Sequence, residues 1–116
     1  MRLRLAAALA VAVFAVPARA QDDLPEGVEA LLTCATVYSM RSDEAREGGD
    51  EGTATEFSHM GDAVRWQAVA TLEGAGYSAE AIEDVEMNFA LMTGFNYGAG
   101  MGEQMLADCL AAWDSP

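Results

Sequence analysis

Cysteine, histidine and methionine are the residues here whose side chains form covalent links or bind soft metals. Cys34 and Cys109 are the only cysteines, and they bracket most of the chain after the N-terminal apolar run. An even count in a short exported domain reads as a disulfide. The alternative, two thiols holding Cu(I), lacks the close C-x-x-C spacing. A bridge closing so long a loop stabilises by roughly 4 to 5 kcal/mol on the chain-entropy estimate.

His59 and Met60 form the only adjacent nitrogen–sulfur pair, and Met101 and Met105 stand at i, i+4 beside small glycines. Thioether sulfur suits Cu(I), imidazole suits copper or iron, and a Met/His pair can hold haem axially. His59, Met60, Met101 and Met105 are therefore the candidate ligands for copper or haem. Methionine is also an ordinary core filler, and Met60, Met92 and Met105 sit on stripes that need apolar residues. Core packing is the preferred expectation, with no cofactor. A single histidine does not build a conventional zinc site.

Catalytic constellations are sparse. Ser58 and His59 are sequence neighbours, and i, i+1 residues on a helix do not face each other. No H-E-x-x-H, C-x-x-C-H, G-x-S-x-G or glycine-rich phosphate motif occurs, so no enzyme is expected. Asp43, Glu44, Glu47, Asp50 and Glu51 are dense in carboxylates, but their spacing does not match an EF-hand loop. They read as a solvated acidic connector.

The N-terminus explains why cysteines here point to a staple. Arg2 and Arg4 precede an uninterrupted apolar run from Leu5 to Val16, followed by Pro17 and the small-residue site Ala18-Arg19-Ala20. This is the order of a cleavable signal peptide, residues 1–20, cut after Ala20. The run is shorter than the ~20 apolar residues that a membrane span needs, so no stable anchor is expected after cleavage. The product is expected in a periplasm or outside the cell, as one domain, residues 28–115, behind an acidic flexible lead-in, residues 21–27.

Cleavage removes Arg2, Arg4 and Arg19, leaving three arginines against nineteen acidic residues, a formal charge of −16, with no lysine. Such a surface repels nucleic acid and anionic membranes. The expected partner is an unknown protein or a cationic ligand.

The elements that position these residues are helices. Val28, Leu31, Leu32, Ala35 and Tyr38 follow helical spacing, in a helix ending between Met40 and Arg46. A glycine-rich acidic connector, residues 47–52, follows. Thr53 or Thr55 is expected to cap a second helix reaching about Glu73, with Phe57, Met60, Val64, Ala68 and Leu72 on its apolar face and Trp66 and Val69 widening it. Ser78 is an N-cap for a third helix, with Tyr77 and Ile82 placed for a hydrophobic staple. That helix shows Ile82, Val85, Phe89 and Met92 on one face. Trp66, Phe95, Tyr97 and Trp113 could line a groove for a partner helix, though aromatics at helical spacing are more often core.

Residues 94–102 have two readings. Gly94, Gly98, Gly100 and Gly102 form a loop between two helices, or Gly94, Gly98 and Gly102 make one stripe on a long, bent helix that lets a neighbour approach. The bent helix is favoured slightly, since the stripe runs on toward Cys109. The last stretch, with Met105, Leu106, Cys109, Leu110 and Trp113, is helical. The fold class is all-α: a small three- or four-helix bundle closed by one disulfide.

In its signal peptide, its Cys34 and Cys109 pair and its helical patterning, the chain is similar to small exported helical proteins such as the HdeA-type acid chaperones. It lacks their lysines, and no function is carried across. The sequence leaves a non-enzymatic binding or stress-related accessory protein as the expected function, with a periplasmic copper- or haem-binding protein as the alternative.

Overall fold

Gly27, in the left-handed conformation at φ 89°, turns the chain into the first helix, α1, Val28–Glu47. A computed structural model of the chain describes residues 23–114; the expected signal peptide, residues 1–20, lies outside the described residues, as does the side chain of Trp113. The described residues form helices joined by short turns, without a strand. Leu24 packs against the core, and the Tyr77 hydroxyl donates to the Asp23 carbonyl at 3.4 Å.

Gly49, at φ 83°, reverses the chain into α2, Glu51–Gly74. The cap is Asp50, not Thr53 or Thr55. Its carboxylate accepts the Thr53 backbone N–H at 3.1 Å and the Thr53 hydroxyl at 2.7 Å. Those two bonds hold the Asp50 carboxyl below its ordinary pKa. A carboxylate also complements the positive end of the helix dipole, which a threonine hydroxyl does not. The helix therefore starts inside the expected connector. α1 and α2 approach closely at Gly61, where a Cβ would meet the Ala35 carbonyl oxygen at 3.4 Å and the Tyr38 Cβ at 3.5 Å. Near the turn, the buried Ser42 hydroxyl donates to the Ala54 carbonyl at 2.6 Å.

Ser78 caps α3, Ala79–Asn96, accepting the Ala81 N–H at 3.1 Å, as its position predicts. Tyr77 packs against the apolar cluster that contains Ile82, as a staple between them requires. A π-helical turn, Tyr97–Met101, then leads into α4, Gly102–Asp114. Residues 94–102 thus hold two helices that meet at a kink, between the bent helix and the loop of the two sequence readings. The bend falls at Gly100, whose φ of 103° is a conformation that residues with a Cβ rarely adopt. The glycines do not form one approach surface. A Cβ at Gly94 would lie 3.9 Å from the Met40 sulfur, one at Gly98 would meet nothing within 4 Å, and one at Gly102 would strike the Tyr97 ring at 3.0 Å.

α1 is the wall shared by two apolar clusters. One joins Val28 and Leu32 to Ala68, Leu72, Ile82 and Val85. The other joins Val37 and Tyr38 to Val64 and Cys109. Cys34 and Cys109 are bridged, with Cα atoms 5.6 Å apart across a sequence separation of 75. The bridge fastens α4 to α1 beside the second cluster. Two expected core positions lie outside: Trp66 and Met92 are 65% and 56% exposed. Val37, off the predicted stripe, is fully buried because it belongs to the cluster completed by Cys109 on α4.

Candidate functional site

Among the described residues, the largest concentration of exposed apolar side chains lies on α3. Ile82, Val85 and Thr93 turn one face inward. Helical geometry then places Met87, Leu91 and Phe95, at i, i+4 and i+8, in a row on the other side. They are 65%, 68% and 76% exposed, and Met92 lies alongside. The row is ~12 Å long at 1.5 Å per residue. No charged residue and no histidine occurs between Glu86 and Glu103. In a chain this acidic, that gap leaves an uncharged apolar surface where solvation would favour carboxylates.

Grooves flank α3 on both sides. The first, about 650 Å³, has Ala35, Thr36 and Ser39 of α1 in its lining together with Glu83, Glu86 and Met87. The Arg65 side chain of α2 reaches into it and donates to the Glu86 carboxylate at 2.6 Å. That bond, with the charge of Glu86, raises the Arg65 pKa further. The second groove, about 500 Å³, lies against the N-terminal lead-in and is lined by Leu24, Glu26, Glu29, Phe89 and Met92. Among the described residues, Glu26, Glu29 and Glu83 form no ion pair. The apolar row is therefore bordered by carboxylates on both sides, with a methionine at each border.

The bend is held by Tyr97. Its hydroxyl donates to Glu44 of α1, and its ring lies against Gly102. Burial first, then the bond to Glu44, push the phenol up to about 12. Arg41, Glu44 and Glu103 share this corner with it.

The metal-ligand candidates do not share one cluster. Met60 and Met105 pack, partly buried, around Val37, Tyr38, Val64 and Cys109, where they fill the core. His59 is exposed on α2, and Met101 is half-exposed at the bend, in neither cluster. Among the described residues, no group of three or more His, Cys, Asp or Glu is placed to hold a metal ion. In the acidic connector, Arg46 stands 3.7 Å from both Asp43 and Glu51. Among the described residues, no helix is long and apolar enough to cross a membrane.

Sequence periodicity places Ile82, Val85, Phe89 and Met92 on one face of α3; it passes over Met87 and Leu91, and it puts Met92 in the core where the fold exposes it. The usable signal was the missing charge between Glu86 and Glu103. No protein-family model, no curated protein and no solved structure matches the chain.

Proposed function

We propose that this chain is a non-enzymatic binding protein, in an accessory or stress-related role, whose working surface is the outer face of α3. Cleavage after Ala20 releases it into a periplasm or beyond, as a small helical bundle closed by Cys34–Cys109. The supporting observation is the exposed row Met87, Leu91 and Phe95, with Met92 beside it, on a scaffold stapled elsewhere. Contiguous exposed apolar surface marks interaction sites in soluble proteins. Methionine suits such surfaces because its flexible, polarisable side chain adapts to different partners. The disulfide and the two internal clusters keep the folding core apart from this face, so the face is free to serve recognition.

An environment-sensitive apolar dye tests the reading. The oxidised protein should enhance its fluorescence, and the double variant Leu91→Asp/Phe95→Asp should lose most of that enhancement while keeping its helical circular dichroism. Equal dye binding by the variant would place the apolar surface elsewhere and defeat the reading.

A further inference from the structure

The α3 surface joins two features that select different partners when they occur alone. Its centre is apolar and uncharged, which suits any hydrophobic segment. Its borders are anionic: Glu83 and Glu86 line the groove at Met87, and Glu26 and Glu29 line the groove at Met92. Arg65 already engages Glu86, while Glu26, Glu29 and Glu83 make no ion pair among the described residues. From this juxtaposition we infer that the surface binds a basic amphipathic helix. Its apolar side lies along Met87, Leu91 and Phe95, and its Lys or Arg side chains reach the carboxylates on either side.

This inference rests on the proposed binding role of α3 and adds the chemistry of the partner. An amphipathic helix presents anchors at i, i+3 or i+4 and i+7, a span of about 10 Å that the ~12 Å row accommodates. Charge complementarity decides among the possible occupants. A second copy would bring the same acidic borders and the same strong negative charge to the interface, and like charges repel. An anionic membrane is disfavoured for the same reason. A cationic helix is attracted at long range and paired at contact.

Calorimetric titration of the exported, oxidised protein with three peptides of equal length tests this. One has a leucine face and a lysine face. The second keeps the leucines and replaces the lysines with glutamine. The third keeps the lysines in a scrambled order with no apolar face. The first should bind roughly tenfold or more tightly than the second at low salt, and added salt should erode that advantage. The third should bind weakly. The triple variant Glu26→Gln/Glu29→Gln/Glu83→Gln should reduce the preference for lysine without reducing binding of the glutamine peptide. Equal binding of the first two peptides would overturn the charge inference and leave the apolar surface standing. Failure of both would overturn both. A stable dimer in sedimentation that Leu91→Asp dissociates would make a second copy the occupant and overturn the inference.

Discussion

Met87 and Met92 lie on one helix and open onto different grooves, Met87 beside Glu83 and Glu86, Met92 beside Glu26 and Glu29. Five residues apart, they mark the two borders of an apolar strip that no part of the described chain covers. Side chains this exposed contribute little to packing within the described chain.

It follows that the strip is dispensable for folding. Leu91→Asp and Phe95→Asp replace exposed side chains, so each should change stability by no more than about 0.5 kcal/mol. Urea denaturation of the oxidised protein measures this. A much larger loss would mean that the strip is covered in the native state.

The disulfide behaves oppositely. Cys34→Ser with Cys109→Ser removes a constraint over a separation of 75 residues, and stability should fall by roughly 4 to 5 kcal/mol. Denaturation with and without reductant should show the same drop for the unmodified chain and none for the double variant.

Alkaline pH should loosen the bend between α3 and α4. The folded Tyr97 phenol, raised to about 12, holds its proton more tightly than the same group in the unfolded chain. A raised pKa contributes stability that is complete below the unfolded value of about 10. That contribution is lost as pH rises through the folded value. Tyr97→Phe should flatten the difference in stability across this window, and tyrosinate absorbance should show one late-titrating group disappear. Unchanged alkaline behaviour in the variant would remove Tyr97 from the account.

The neighbouring glycines should part company. A Cβ at Gly98 meets open space at negative φ, so Gly98→Ala should stabilise by up to about 1 kcal/mol through helix propensity. Gly100, at φ 103°, should destabilise on the same change, since a Cβ strains the left-handed bend. Thermal midpoints of the two variants should move in opposite directions.

What could be read from the residues was what depends on near neighbours. The Ser78 cap, the Tyr77 and Ile82 staple and the apolar spacing of three helices are local, and each is present in the fold. The cap of α2 was misplaced because Thr53 donates to Asp50 in place of capping the helix itself. Val37 was missed because its cover includes Cys109 on α4, distant in sequence. The bend at Gly100 was half legible: four glycines signalled a break, but only the backbone shows which one takes it. Periodicity placed Trp66 and Met92 on apolar faces, and no periodicity reports whether a face is covered. For the same reason the proposed binding surface rests on exposure on α3, not on the ligand-type residues His59, Met60, Met101 and Met105.

Methionine methyl resonances give the most direct test of that surface. Titration of the oxidised protein with the leucine–lysine peptide should shift the methyl signals of Met87 and Met92. Those of Met60 and Met105, packed around Val37 and Val64, should stay in place. Shifts confined to Met60 and Met105, or binding that leaves Met87 and Met92 unmoved, would contradict the assignment of α3 as the binding face.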